Sequence, residues 1–343
     1  MLKRTYLILA LILLTAFVLT LFKVPIASSQ GLVLVAKKVD GELPVNDAAS
    51  ELWAQSTAID IPLSAQNTSK PFLLNTKTKS VSTRALHNGT QLAILVEWAD
   101  ETQNDSTVAI QDFRDGAALQ FPVVQGQPFF CMGQQGGNVN IWHWKADWQA
   151  GLLARREMEE TYPDMYVDQY PFATAAEGKL ASVADYTDTN YLPALEAGNP
   201  LAAIQHASPV EDLVAGGFGS LTSQALAAQN VQGYGTWADN KWTVIFSRDL
   251  ASPETDDASF ALGKAYSIAL AVWDGANNER NGQKSTSQWV TFQLSSGPRV
   301  KPASQDAIAG PPSWLRQNLL LIIFGFLTLI LLAILFIYSR LPE

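Results

Sequence analysis

The 343-residue sequence contains one cysteine, Cys131, and only three histidines, His87, His143 and His206. A single thiol excludes an intrachain disulfide framework, an all-cysteine zinc site and an all-cysteine iron–sulfur cluster. It also excludes covalent haem attachment through C-x-x-C-H, which needs two thiols. A metal site built from histidines alone would use nearly all of them. Charged residues make up only 16% of the chain, against about 25% in ordinary soluble domains. The net charge of −9 repels phosphate and argues against a nucleic-acid partner. Motifs for acid–base or phosphate chemistry are missing: there is no G-x-S-x-G elbow, no H-E-x-x-H, no P-loop and no G-x-G-x-x-G after a strand. Gly216-Gly-Phe-Gly219 is rich in glycine, but no strand-to-helix unit surrounds it.

Aromatic residues are plentiful, with 10 Trp, 9 Tyr and 15 Phe, and two long apolar runs bracket the chain. The first comes after Lys3 and Arg4, runs from Tyr6 to Phe22, and leads into Ala27-Ser-Ser29. A basic start, an apolar core and small residues form a secretory signal over residues 1–29, with an uncleaved anchor as the alternative. The second run, Leu319 to Tyr338, has no charge and is long enough to cross a hydrocarbon core of about 30 Å. It predicts a transmembrane helix over 318–339. The basic N-terminus favours a cytoplasmic start and export of the region between the two runs. That places the bulk of the chain on the extracytoplasmic, periplasmic face of the cell membrane. Residues 31–315 hold 18 basic and 31 acidic residues, a net −13, which suits solubility and weakly favours a basic partner face.

Between the runs, short stretches alternate apolar and polar residues: Gln91–Trp98, Asn138–Trp144, Lys241–Ser247, Tyr266–Trp273 and Ser287–Leu294. Turn signals separate them, among them His87-Asn-Gly89, Asp115-Gly116 and Ala238-Asp-Asn240. This pattern predicts an antiparallel β-sandwich over 31–295. Ala150–Glu160 is the best helical stretch, being rich in good helix formers. From about 160 to 231 the pattern weakens into a loop-rich insertion, and 296–317 reads as a proline-bearing linker. Asp100, Asp105, Asp112 and Asp115 lie close in sequence, but their spacing fits no EF-hand and reads as a solvated acidic loop.

Two segments carry chemistry. In Pro128-Phe-Phe-Cys-Met-Gly-Gln-Gln-Gly-Gly-Asn-Val-Asn-Ile-Trp-His-Trp-Lys-Ala-Asp-Trp148, a methionine sits beside a glycine-rich turn with three tryptophans near it. A thioether is a weak, soft ligand suited to haem iron, although by residue type alone Met132 is more often a core filler. The second is the strand–loop–strand segment Ala271–Trp289, where Lys284 by residue type is a surface charge.

Together with Val45-Asn-Asp-Ala48, Trp53, Asp112-Phe-Arg-Asp-Gly-Ala-Ala-Leu-Gln-Phe-Pro122, Glu211-Asp-Leu-Val-Ala-Gly-Gly-Phe-Gly219, Gly235-Thr-Trp237, Lys241-Trp-Thr-Val244 and Val272-Trp-Asp-Gly275, these segments fall in a characteristic order. The chain resembles the haem b (gamma) subunits of ethylbenzene dehydrogenase and related type II molybdenum enzymes of the dimethyl sulfoxide reductase family. The membrane segment at its end departs from the soluble members. The resemblance implies one noncovalent haem b inside the sandwich, with Met132 and Lys284 as axial ligands and Trp142 and Trp144 beside it. Lys264 and His143 are the rival ligand positions. With both axial positions filled by protein, the implied role is electron transfer rather than substrate chemistry. The implied partners are an iron–sulfur subunit, a molybdenum catalytic subunit, and a soluble cytochrome or other carrier. A membrane-anchored carbohydrate- or ligand-binding sandwich, with exposed tryptophans stacking on sugars, is the reading from a different class.

Overall fold

The computed structural model describes residues 31–67, 70, 72–124, 132–154, 156, 158–165, 193–203 and 205–295. The signal or anchor, the linker and the membrane helix expected from the sequence lie outside these residues. Among the described residues no helix is long and apolar enough to cross a membrane.

Thirteen strands form the fold: β1 Val33–Lys38, β2 Ile59–Ala65, β3 Ser80–His87, β4 Gln91–Ala99, β5 Gly116–Pro122, β6 Val139–Lys145, β7 Val210–Ala215, β8 Thr222–Ser223, β9 Gln232–Ala238, β10 Lys241–Asp249, β11 Ala265–Trp273, β12 Ser285–Ser287 and β13 Val290–Leu294. Most neighbours run antiparallel, and local turn chemistry sets their register. Between β3 and β4 the Asn88 side chain accepts from the N–H groups of Thr90 and Gln91. Between β9 and β10 a two-residue loop places Asp239 and Asn240 at positive φ, as a tight hairpin turn requires.

The strands build a two-sheet sandwich. One sheet runs β9-β10-β4-β3, continues through β1 and β13, and ends on the first half of β11. The other runs β8-β7-β6-β5-β11-β12-β2. Two strands serve both sheets. Ile59–Pro62 of β2 pairs with β3 while Leu63–Ala65 pairs with β12. In β11, residues 265–268 pair with β13 and residues 269–273 with β5. β1 lies parallel to both β3 and β13.

Alternation along each strand sends one set of side chains between the sheets. Leu92, Ile94, Val96 and Trp98 of β4 meet Leu119 and Phe121 of β5 and Trp142 and Trp144 of β6 in this core. Burying a side chain of this kind contributes roughly 1.5–3 kcal/mol. Trp98, Trp144 and Trp242 pack ring on ring, and Gly235 on β9 makes room for them, since a Cβ there would lie 2.3 Å from Trp144.

At one edge the core encloses a polar network around Arg248. Its guanidinium lies 3.3 Å from the Asp257 carboxylate, donates to Asn140 Oδ1 and the Ala258 carbonyl, and faces the Trp142 ring. Gln224 bridges Asp257 to Asp212 by donating to both. Burial, with Asp257 nearby, pushes the Asp212 carboxyl up to about 8.

Two expectations need correction. The helix expected over Ala150–Glu160 is instead α1, Ala146–Gly151, with a separate turn at Met158–Thr161 after it. α1 ends at Gly151, a residue of low helix propensity. The stretch read as an insertion to 231 contains β7, an integral and largely buried strand paired to β6 along its length.

Candidate functional site

The outer face of the second sheet is lined with apolar and small side chains. Ala118 of β5, Val139 and Ile141 of β6, Leu213 and Ala215 of β7, and Ala271 and Trp273 of β11 form a buried cluster. Partly buried Met132 and Trp289 pack against it. The cross-strand register aligns Ala118 with His143 and with Ala271. A shallow floor of methyl groups therefore runs between bulkier neighbours.

Met132 reaches this face from a tight turn closed by paired Gln134 and Gly137. The turn docks on the end of β7, where Gly217 N–H donates to the Met132 carbonyl at 3.0 Å. Gly133 is indispensable to the approach. Its φ is +83°, and a Cβ would stand 2.6 Å from the Ala215 carbonyl and 2.9 Å from that of Gly137. Any side chain would push the methionine off the sheet, at a cost of about 1–3 kcal/mol. The glycine-rich stretch at 216–219 thus holds the Met132 turn, a role that its sequence alone did not disclose.

Lys284 stands immediately before β12 and is buried, with its Nζ 4.7 Å from the centre of the Trp273 ring. Its loop is fixed by the Arg280–Gln283 pairing and by the Trp273 indole donating to the Asn281 carbonyl. Among the described residues the ammonium has no hydrogen bond and no carboxylate partner. Burial alone pulls its pKa down to about 8. Buried cations are ordinarily paired, so this is an amine prepared to be neutral.

His143 points to the same outer face and stacks on Trp273 at 4.6 Å and 27°. Desolvation, with Lys145, Arg114 and Lys284 nearby, holds its imidazole well below the ordinary range and therefore neutral. Beyond it, Lys145 pairs with Glu211, and its ammonium lies 3.8 Å over Trp148.

The structure brings Met132, Lys284 and His143 to one face. It does not bring Trp142 and Trp144 there. Both are fully buried in the inner core, because on β6 they alternate with His143 and point the opposite way. Lys264 is exposed in the turn before β11. Asp100 and Asp115 are not solvated, as the sequence suggested, but buried beside Asp274. Asp115 accepts from the N–H groups of Asn104 and Gly275 and from the Trp242 indole, knitting loops at the end of the sandwich. Burial and Asp100 raise Asp115 to about 7.

The donor set fits an apolar, flat iron macrocycle. An amine that is buried and has no hydrogen bond or carboxylate among the described residues, and a thioether, border one apolar cluster, and small side chains lie between bulkier ones.

A family model described as Ethylbenzene dehydrogenase matches residues 50–285. A protein of Haloferax mediterranei named "Putative respiratory nitrate reductase heme subunit" is 24% identical over 289 residues, covering 81% of this chain and 82% of that one. The chlorate reductase subunit gamma of Ideonella dechloratans is 25% identical over 273 residues, covering 77% and 87%. Among solved structures, a family 9 carbohydrate binding module from Caldicellulosiruptor kristjanssonii aligns at 7% identity and TM-score 0.35, covering 78% of this chain and 100% of that one. That likeness is too slight to carry an argument. The matched span runs from Ser50 through Ser285 and takes in Met132 and Lys284, and the chain belongs to the ethylbenzene dehydrogenase family.

Proposed function

We propose that this protein is the electron-transfer haem b subunit of an extracytoplasmic, membrane-anchored molybdoenzyme complex. The observation that carries the reading is Lys284: buried, with no hydrogen bond or carboxylate among the described residues, and set over Trp273, a member of the apolar cluster on which Met132 packs. Haem b supplies a one-electron carrier when bound. Met132 would offer its thioether and Lys284 its neutral amine as the residues that hold it. Burial has already brought Lys284 from 10.5 to about 8, roughly 3 kcal/mol of the cost of losing its proton. The apolar cluster around Ile141 and Leu213 would keep water from that face, and with two protein donors the group would carry electrons rather than bind substrate. The relatives named as a heme subunit and as a gamma subunit support this role. The carbohydrate-binding alternative gains nothing from the structure, since none of the described tryptophans is exposed.

The test is spectroscopic. The purified full-length protein should show a strong Soret band. Met132→Ala should lower haem retention or reduction potential, while Met158→Ala, altering an exposed side chain, should do neither. An unchanged spectrum and potential in Met132→Ala would refute the site.

The chain's lone cysteine cannot hold a cluster of its own, so electrons must be exchanged with another chain. The reading therefore includes an iron–sulfur subunit carrying a molybdenum subunit, a soluble cytochrome or other electron carrier, and anchoring by residues 318–339. Mild detergent extraction, size-exclusion chromatography and mass spectrometry should recover the iron–sulfur partner. Consistent recovery of the haem protein alone would overturn that part of the proposal.

A further inference from the structure

His143 makes no hydrogen bond among the described residues, yet it occupies the centre of the outer face. On one side the register sets it against Ala118, and on the other against Glu211. Its only close partner among the described residues is a ring: it lies nearly parallel to Trp273, 4.6 Å away. Trp273 in turn carries the Lys284 ammonium 4.7 Å from its ring centre.

The floor beneath this pair is a glycine. A Cβ at Gly116 would lie 3.3 Å from His143 Nε2 and 3.5 Å from Trp273 Cε3. The three residues come from β5, β6 and β11, at neighbouring register positions. The lysine loop is tied to the same indole through its bond to the Asn281 carbonyl. Trp273 thus lies between Lys284 on one hand and the stacked His143 ring on the other, with its indole N–H bonded to the Asn281 carbonyl.

We propose that His143 is a positioning residue for the haem site: stacked on Trp273 over Gly116, it holds the indole plane on which the Lys284 amine is presented. This inference rests on the proposed ligation by Lys284. It assigns His143 no bond to iron and no proton transfer. A flat neutral ring is what the geometry uses, and aromatic pairing of this kind is worth up to about a tenfold change in an equilibrium.

The experiment compares His143→Phe, His143→Leu and Lys284→Leu in the full-length haem-loaded protein. The readouts are haem dissociation rate, midpoint potential and the low-spin electron paramagnetic resonance g-values. Phenylalanine keeps a flat ring and should leave the g-values as in the parent and the dissociation rate within about threefold. Leucine should retain haem but shift the g-values and potential, and speed dissociation up to about tenfold. A wild-type signature in His143→Leu would overturn the inference, as would equal damage from both histidine variants, because the ring nitrogens rather than the stack would then matter. Lys284→Leu separates the two levels. If it leaves the g-values unchanged, ligation by Lys284 fails. If it alone changes them, ligation stands and the positioning role falls.

Discussion

Replacing Lys284 with leucine is expected to stabilise the haem-free protein while abolishing the parent's haem spectrum. Leucine has nearly the volume of lysine's buried stem, so packing on Trp273 changes little. What disappears is a buried ammonium with no carboxylate partner among the described residues. The group's pKa in the folded chain lies near 8, against 10.5 when solvated. The unfolded chain therefore binds the proton more tightly, and folding carries a penalty that is complete below pH 8. As pH rises from about 8 to about 10.5 the penalty fades. At pH 7 the substitution should raise the stability of the haem-free protein by up to about 3 kcal/mol. At pH 11 the gain should be close to zero. Urea unfolding at the two pH values measures this directly. A variant less stable than the parent at pH 7 would show that the amine has a partner after all. If Lys284 holds haem as proposed, the same change removes a donor from the loaded protein, so stability and function move in opposite directions at one residue.

Arg248→Met should act the other way, on the fold alone. The Arg248 side chain is 2% exposed, and its guanidinium sits between the Trp142 ring, Asn140 and the Asp257 carboxylate. Asp212, raised to about 8, is mostly protonated at neutral pH, so Asp257 supplies the counter-charge. Removing one partner of such a pair strands the other in low dielectric, at a cost of about 3–5 kcal/mol. For a domain of this size that corresponds to a fall in melting temperature of roughly 10 °C. Adding Asp257→Asn should recover part of the loss, because no lone charge then remains buried. A single-variant cost under about 1 kcal/mol would mean that water reaches the network and solvates the carboxylate.

Legibility in the sequence depends on which side chains are satisfied locally. β4, β10 and β11 were legible because each is an unbroken run rich in aliphatic and aromatic residues, and the turns before β4 and β10 carry Asn-Gly and Asp-Asn. β7 was not, since Glu211 and Asp212 at its start look like surface residues. Their partners, Lys145 and Asn140 on β6 and Gln224 beyond β8, come from outside the strand. The same limit hid the acids at the sandwich end, where Asp115 is satisfied by Asn104, Gly275 and Trp242. At the site, the segment around Met132 was visible as a motif, but residue type alone made Trp142 and Trp144 attractive. Counting alternate positions from His143 assigns them to the other face. The His143–Trp273 stack joins β6 to β11 across β5, and no local pattern announces a contact between residues so far apart.

The parallel placement of β1 has a kinetic consequence. Val33–Ala36 is seated in register with Thr291–Leu294, and Ala36–Lys38 with Ala85–His87. The first strand of the sandwich is thus held between the third and the last, across some 250 residues of chain. Loop-closure entropy must be overcome before that slot exists, and folds dominated by such distant pairings form slowly. The inner core, which includes Leu34 and Ala36 alongside Phe292 and Leu294, cannot close until the end of β13 has been synthesised. Lys284, the proposed haem donor, stands just before β12, which also arrives late. Chains truncated before Val290 should therefore remain open along β1 and expose its apolar side chains, making them substrates for holdase chaperones and proteases.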